Sequence, residues 1–320
     1  MHSRIKRDDI GGEPDQDQIQ REINEDVSYV VDNDSEYEIS ASIVVTNEKI
    51  DDIDKVVNSY LPREKRILYI VDNSCREEYF KYYKSLNNPF VKHIKNEKNI
   101  GYGAAHNKAI RLAKSNNTKY HIVLNPDLYF EPHVINDLCN YADAHEKTVY
   151  MLPKVIYPNG DIQFLCKLCP TPIDAIGRRF LPEKIIEKRQ IKYELRNSGY
   201  DRIMNPPILS GCFMFMRVST LQQNNIEFDE RFFVYYEDFD LIRRLHRVGW
   251  TLFYPKVTIV HKHARAGHRF NKMFFIMISS AIKYFNKYGW VIDKERQRWN
   301  KRMLEDVKKY QEAKNSSGGL

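Results

Sequence analysis

The chain has 320 residues, 42% of them hydrophobic and 29% charged, which is enough to bury one large core or two modest ones. Gly and Pro number only 13 each and no fixed period recurs, so collagen-like and repeat architectures are excluded. The 16 Phe, 21 Tyr and 3 Trp exclude a wholly disordered chain. The five cysteines are an odd number and the N-terminus lacks an apolar signal segment, which predicts a cytoplasmic protein. No apolar run is long enough to span a membrane.

Charge is distributed unevenly along the chain. Residues 1–38 contain four Lys/Arg and twelve Asp/Glu, and few large apolar residues. Residues 1–37 are therefore predicted to be a flexible acidic extension outside the fold. Residues 262–314 contain fourteen Lys/Arg against five Asp/Glu, which predicts an anionic partner for that end.

The first half of the chain alternates predicted strands and helices. The strands are β-branched or apolar runs, and the helices are amphipathic or alanine-rich. The strands are predicted at residues 39–46, 66–71, 91–95 and 120–124, and the helices at residues 50–61, 77–86, 104–114 and 134–142. Four such alternations indicate an α/β fold in which a parallel sheet is wound by right-handed crossovers.

Every one of these four strands ends in small or polar residues. The carboxyl ends of parallel strands share one edge of a sheet, and ligands bind along that edge. Each cluster alone is more typical of a turn or a helix cap than of a site, but four together favour a binding crevice. The residues are Thr46, Asn47 and Glu48; Asp72 and Asn73; Asn99, Gly101 and Tyr102; and Asn125, Pro126 and Asp127.

After residue 150 the alternation loosens. A strand at residues 150–157 precedes a Lys/Arg-rich insertion at residues 165–205, which is irregular or helical. Regular elements return at residues 211–216, in the aromatic run 232–236 and at residues 251–260. This half is expected to supply the acceptor side of the site.

Asp127 and His261 are candidate ligands of a hard divalent cation. Asp127 follows a buried strand, where its carboxylate either holds a cation together with a diphosphate or caps the next helix. His261 ends the last predicted strand and is either a further metal ligand or a structural histidine. Arg265 and Arg269 follow it, and their guanidinium groups are suited to neutralising a diphosphate leaving group.

Two adjacent acids, Glu237 and Asp238, precede a run with helical spacing. A helix N-terminus stabilises an ionised carboxylate, which suits a general base at neutral pH. Plain capping is the alternative. For Asp240 we favour a structural ion pair with Arg244, one helical turn later.

A predicted helix at residues 274–288 has an apolar face with aromatic residues and several lysines outside that face. It either lies on an anionic membrane surface or packs on the preceding domain. No nucleic-acid-binding module is recognisable, so nucleic acid is not expected as a partner.

Seven segments, in this order along the chain, resemble the family-2 glycosyltransferases of the GT-A fold, particularly rhamnosyltransferase-like members. The segments are SIVVTNE, VDNS, NEKNIGYGAAHN, LNPDLYF, GCFMFMR, FFVYYEDFDLIRRLHRVGW and VHKH. The resemblance covers about residues 39–290. It implies a GT-A domain at residues 38–270, with a mostly parallel central sheet flanked by helices, followed by a C-terminal helical region at residues 271–320.

The resemblance also assigns roles to individual residues. It implies a nucleotide diphosphate sugar donor contacted by Thr46, Glu48, Asp72, Asn73, Asn99, Gly101 and Asn107. Asp127 occupies the family's metal motif for Mg²⁺ or Mn²⁺, and Asp238 matches the general base of its Glu-Asp pair. His261 matches a position that joins the metal shell in some relatives.

The activity predicted from these residues is inverting transfer of a sugar, with rhamnose as the first expectation, to a hydroxyl of a growing cell-surface glycan or lipid-linked glycan. The expected location is the cytoplasm, at the inner face of the cell membrane. Two alternatives stay open: a sugar nucleotidyltransferase, and a catalytically degenerate scaffold that binds glycan or membrane. The sequence leaves the oligomeric state open.

Overall fold

The computed structural model describes residues 37–74, 76–176, 183–262 and 272–317. In the first half, the four predicted strands are present, with boundaries within one residue of the prediction. The elements are β1 (Ile39–Val45), α1 (Ile50–Tyr60), β2 (Arg66–Asp72), α2 (Glu77–Leu86), β3 (Val91–Lys95), α3 (Tyr102–Ser115), β4 (Tyr120–Leu124), β5 (Leu128–Tyr129) and α4 (His133–Ala144).

Burial explains why these segments adopt these elements. All seven residues of β1 and all seven of β2 are buried, as expected for parallel strands covered by helices on both faces. Helix α1 buries Ile53, Val56, Val57 and Tyr60, which lie on one face at a spacing of three and four residues. Burying each such large side chain contributes about 1.5–3 kcal/mol.

The second half contains shorter and more irregular elements. The predicted insertion contains two helices and one 3₁₀ turn among its described residues. The elements are β6 (Thr148–Ile156), α5 (Pro172–Ile176), α6 (Glu183–Tyr193), the 3₁₀ turn (Arg196–Ser198), β7 (Phe213–Arg217), α7 (Val218–Gln223), α8 (Glu237–Val248), β8 (Trp250–His261), α9 (Lys272–Tyr288) and α10 (Lys294–Ser317).

The eight strands of the described residues form one sheet in the order β3-β2-β1-β4-β7-β6-β8-β5. Strands β1 to β4 are parallel, so their carboxyl ends share one edge, as predicted. Strand β7 is antiparallel to β4, with Phe213 opposite Leu124, so β7 begins at that same edge. Strand β8 ends there too, because His261 pairs with Leu128 directly after the β4 loop. This topology gathers the predicted site residues of both halves at one edge.

One predicted element is absent. Residues 232–236, expected as a regular element, form bends without a strand. Tyr235 and Tyr236 both have a φ of 69°, and this left-handed backbone interrupts an extended run immediately before α8. Strand β5, only two residues long, was not predicted, since so short a strand has no recognisable periodicity.

The C-terminal helices pack on the rest of the fold. All described residues belong to one compact unit. Helix α9 buries Tyr284 and Phe285, and the buried Arg243 of α8 pairs with Asp293 at 2.6 Å. The packing alternative for this helix is therefore confirmed, while membrane contact and the boundaries after residues 37 and 270 stay predictions. Among the described helices, none combines the length and apolarity needed to cross a bilayer.

Candidate active site

Asp127 and His261 lie side by side at the carboxyl edge of the sheet. Asp127 Oδ1 is 3.2 Å from His261 Nε2, and Asn125 Nδ2 is 3.4 Å from the same nitrogen. The backbone N–H of Lys262 donates to Asp127 O, which fixes the β4 loop against the end of β8. Gln163 orients the imidazole from behind: its Oε1 is 3.0 Å from His261 Nδ1, and its amide donates to His261 O.

The surroundings of His261 favour positive charge. Burial by itself lowers the pKa of this histidine, but Cys212 and the Asp127 carboxylate reverse the effect and raise the pKa to about 10. The donor atoms are one carboxylate, one imidazole and the Asn125 amide, a set compatible with a hard or borderline divalent cation that displaces the His261 proton on binding. Within the described residues, no group of three or more His, Cys, Asp or Glu side chains is arranged so that it could hold a metal ion by itself. Any cation here would therefore need oxygen ligands from its substrate.

Tyr102 connects this pair to the rest of the crevice. Its hydroxyl lies 3.0 Å from both Asn125 Oδ1 and Gly211 O, so it donates to either acceptor. Burial and the negative charges of Glu237, Asp238 and Asp127 raise the pKa of this phenol well above its ordinary value. The carboxylates of Asp127, after β4, and of Glu237 and Asp238, at the start of α8, therefore all influence the Tyr102 hydroxyl electrostatically.

Gly211 connects Asp238 to Tyr102. Its backbone N–H donates to Asp238 Oδ2 at 3.1 Å, and the N–H of Phe239 donates to Asp238 Oδ1 at 2.9 Å. A Cβ at position 211 would lie 2.8 Å from the Asp238 Cβ, so only glycine allows α8 to approach this closely. A continuous chain of contacts thus runs from Asp127 through His261, Asn125, Tyr102 and Gly211 to Asp238.

Glu237 and Asp238 form an acidic pair in which Glu237 is buried and Asp238 is half-buried. Burial raises the pKa of Asp238, while the Lys167 ammonium and the backbone donors of Phe239 and Gly211 act in the opposite direction. Burial and the charge of Asp238 raise the pKa of Glu237 well above its ordinary value, and Glu237 Oε2 has no hydrogen-bond partner. One negative charge on the pair is favoured, and Asp238, with its backbone donors, is the better holder of it.

The loop after β1 is organised by Glu48. Its carboxylate accepts hydrogen bonds from the Thr46 backbone, the Thr46 hydroxyl and the Asn47 backbone, and its own carbonyl accepts one from Tyr79. Thr46, Asn47 and Glu48 are therefore together at the crevice edge, as predicted. Whether they contact a nucleoside stays a prediction.

The loops after β2 and β3 are tied together by amides. Asn73 donates to Gly101 O at 3.0 Å and accepts from Asn96 at 2.7 Å, and Asn99 accepts from the Gly101 backbone. Gly101 has a φ of 97°, and a Cβ there would lie 2.5 Å from Phe233 O. This contact and the hydrogen bond from Tyr102 N to Phe233 O hold the third loop against the segment that leads into Asp238.

Asp72 is buried at the end of β2. Burial opposes its ionisation, but the His93 imidazole, 3.6 Å away, and the hydrogen bonds from Ser74 outweigh that effect and lower the pKa of its carboxyl. The Ser74 backbone and hydroxyl both donate to Asp72 Oδ1. Asp72 is thus ionised and held in place.

Other predicted residues have mainly structural contacts. Asn107 is fully buried, and its amide pairs with the Phe228 backbone and Glu230. Asp240 accepts from Arg244 at 2.8 Å, which confirms the predicted ion pair. The donor contact of Asn107 stays a prediction. Pro126 is buried between Asn125 and Asp127, and Arg265 lies outside the described residues.

Sequence reasoning missed three residues that shape the site: Gln163, Lys167 and Gly211. Gln163 and Lys167 come from the irregular stretch after β6, whose contacts with β8 and α8 no periodicity could reveal. Gly211 precedes an apolar strand, and a glycine there signals a close approach of another backbone or side chain.

Comparison with known proteins identifies the family. The family model described as "Glycosyl transferase family 2" matches residues 40–222, more than half of the chain. The chain belongs to this family. Membership confirms the predicted enzyme class, a glycosyltransferase, over the nucleotidyltransferase alternative.

A curated relative in this family comes from Mycobacterium tuberculosis. It is an N-acetylglucosaminyl-diphospho-decaprenol L-rhamnosyltransferase, 27% identical over 198 residues, and the match covers 57% of this chain and 62% of the relative. The match thus spans less than two thirds of the relative's length.

Solved structures confirm the GT-A fold. Staphylococcus aureus TarS 1–349 aligns with a TM-score of 0.52 and 15% identity, over 83% of this chain and 70% of that chain. GalNAc-T7, solved with UDP, GalNAc and Mn²⁺, aligns with a TM-score of 0.54 and 17% identity, over 87% of this chain and 55% of that chain.

Proposed function

We propose that this glycosyltransferase moves a sugar, with inversion, from a nucleotide diphosphate donor to a hydroxyl of a lipid-linked glycan. The observation that carries the proposal is the chain of contacts that joins Asp127 to Asp238 through Tyr102 and Gly211. It supports a single crevice in which one acid faces the diphosphate and the other faces the acceptor.

Asp238 acts as the general base. As the acceptor oxygen bonds to the anomeric carbon, its proton passes to an Asp238 carboxylate oxygen. The bond between the anomeric carbon and the diphosphate oxygen breaks at the same time, and the nucleoside diphosphate leaves with the bonding electrons. The backbone donors of Gly211 and Phe239 hold the carboxylate in one orientation throughout.

Asp127 and His261 are suited to hold a divalent cation against the diphosphate. Their carboxylate and imidazole donors fit such an ion, which commonly takes few protein ligands and completes its shell with substrate phosphates. When bound, the cation neutralises negative charge on the diphosphate. The presence of Mn²⁺ with GalNAc-T7 favours Mn²⁺ as the first ion to test.

The mycobacterial relative favours a rhamnose donor and a polyprenyl diphosphate acceptor. UDP-GlcNAc, solved with TarS, is the second donor to test. The proposed location is the cytoplasmic face of the membrane, where such an acceptor is embedded.

Peripheral membrane contact follows from the outer surface of α9 and the turn into α10. Val291 and Ile292 are 81% and 76% exposed, and Phe275 is 66% exposed. Exposed lysines, including Lys283 and Lys294, lie in the same two helices. Apolar side chains flanked by lysines fit an anionic lipid surface.

The double variant Val291→Ser with Ile292→Ser is expected to bind vesicles of anionic lipid more weakly than wild type. The exposed control Val248→Ser is expected to bind them normally. Equal vesicle binding by the two variants would contradict the proposed membrane contact.

The decisive experiment combines the full chain, Mn²⁺, a polyprenyl diphosphate-GlcNAc acceptor and either dTDP-rhamnose or UDP-GlcNAc. Release of nucleoside diphosphate and extension of the acceptor are measured together. Asp238→Asn is expected to lower the rate by about 10²–10⁴, because general-base catalysis supplies a factor of that order. Asp161→Asn, in an exposed turn, serves as the control. Near-normal turnover by Asp238→Asn would refute the assigned base, and a wild-type chain that neither transfers nor hydrolyses any donor would favour the scaffold alternative.

A further inference from the structure

A second polar cavity lies at the opposite edge of the sheet from the crevice. Its volume is about 360 Å³, and its walls come from the amino ends of β1, β2 and β4 and from α4. Strand β2 has seven residues and separates the two edges by about 20 Å. The residues of this cavity are therefore not part of the proposed active site.

The wall of the cavity contains a buried arginine without a charged partner. Arg66, the first residue of β2, is 5% exposed, and its Nη1 has no hydrogen-bond partner. Its Nη2 donates to Asn136 Oδ1, a neutral acceptor. Among the described residues, no carboxylate lies within ion-pair distance of this guanidinium, although a buried unpaired charge is costly.

A second arginine lies beside the first. Arg63 and Arg66 pair through their backbones in a tight turn, with Arg66 N donating to Arg63 O at 2.8 Å and Arg63 N donating to Arg66 O at 3.2 Å. Burial and the neighbouring positive charge of Arg63 both lower the pKa of Arg66. The two cations therefore repel one another in the present arrangement.

The carboxylates of the rim offset this repulsion only in part: the charge of Glu38 raises the pKa of Arg66, yet that pKa stays below its ordinary value. Glu38 pairs with Lys65 at 2.8 Å, and Asp143 pairs with Lys119 at 2.8 Å. Glu64, the remaining acid of the wall, is exposed to solvent. Of the cations lining the cavity, Arg63 and Arg66 are the two that a bound anion would neutralise.

We propose that this cavity binds the phosphate group of a small phosphorylated metabolite, with the Arg66 and Arg63 guanidinium groups as its charged donors. A phosphate monoester carries nearly two negative charges, which matches two guanidinium groups, and their planar donors suit phosphate oxygens. The volume accommodates an organic part of about the size of a sugar. The side-chain amides of Asn136 and Asn140 are available to hydroxyl groups of that part.

The test titrates the full chain with inorganic phosphate, glucose 6-phosphate and citrate at constant ionic strength, and follows binding by calorimetry and thermal shift. Arg63→Ala and Arg66→Met each remove one donor. Arg298→Ala removes the same charge from an exposed position on α10 and is the matched control. Because phosphate binding in the donor crevice is common to all variants, the difference between variants reports the second cavity.

Both cavity variants are expected to bind inorganic phosphate and glucose 6-phosphate at least tenfold more weakly than wild type, while Arg298→Ala binds them normally. If Arg66→Met does not fold, the exposed Arg63→Ala still decides the matter. Equal affinity of Arg63→Ala and Arg298→Ala, or tighter binding of citrate than of phosphate, would overturn the proposal.

Discussion

The two halves of the crevice shift the pKa values of their carboxyl groups in opposite directions. In the amide half, formed by residues 46–48, 72–74 and 96–102, hydrogen bonds lower the pKa of Asp72 despite its burial. In the acid half, formed by residues 125–127, 211–212, 237–238 and 261, burial raises the pKa of both Glu237 and Asp238. The amide half thus uses its polar groups to hold loops in place, whereas the acid half shifts its carboxyl pKa values toward neutral pH, as proton transfer requires.

The largest effect after that of Asp238→Asn is expected in the acid half. Asp127→Asn should lower kcat by about 10²–10³, the cost of losing one group that stabilises a departing oxyanion, because the cation that Asp127 would hold against the diphosphate is then held less well; little change in stability is expected. Steady-state kinetics across a Mn²⁺ titration, with urea unfolding alongside, measures both properties. A variant with unchanged kcat and unchanged Mn²⁺ dependence would remove Asp127 from the acid half.

In the amide half, a substitution should lower stability rather than kcat. Asn73→Ala removes the acceptor of the Asn96 amide and one of the two donors to the Gly101 carbonyl, which is expected to cost about 1–3 kcal/mol of unfolding free energy. Asn58→Ala, on the exposed side of α1, is the control. A stability equal to wild type, together with a large rise in KM for the donor, would show instead that Asn73 contacts the nucleotide and that the contrast between the halves is wrong.

The same contrast explains what the sequence could predict. The amide half follows strands whose apolar runs stop abruptly at Asn, Asp or Gly, so both the strand ends and the polar residues were recognisable locally. The acid half depends on antiparallel β7, on β8 and on residues 232–236, which meet β4 only through the tertiary fold. Asp127, Asp238 and His261 were candidates from their positions at strand ends and a helix start, and the family resemblance assigned their roles. Gln163 and Lys167 act through contacts that no local pattern encodes, and Gly211 signals only that something approaches closely, not that it is Asp238.

A smaller effect concerns pH. The positive charge of Lys167 lowers the pKa of Asp238, so Lys167→Met should raise that pKa further. A base must be ionised, so the acid limb of the kcat/KM profile should move to higher pH by up to about one pH unit. At pH values below the acid limb, kcat/KM of Lys167→Met should be up to tenfold lower than that of wild type. At pH values well above the limb, the two should be equal. Lys256→Met, on an exposed part of β8, is the control; superimposable profiles for the two variants would exclude Lys167 from the electrostatics of the site.

The smallest single effect is expected where the halves meet. Tyr102→Phe removes the hydroxyl that serves Asn125 and Gly211, at a cost of about 0.5–1.5 kcal/mol. If this hydroxyl couples the acid of the β4 loop to that of α8, the losses of kcat from Tyr102→Phe and Asp127→Asn will not add in the double variant. Tyr310→Phe on α10 provides the uncoupled reference. Additive losses would mean that Tyr102 and Asp127 contribute independently, and the hydroxyl would then not couple Asp127 to the acid of α8.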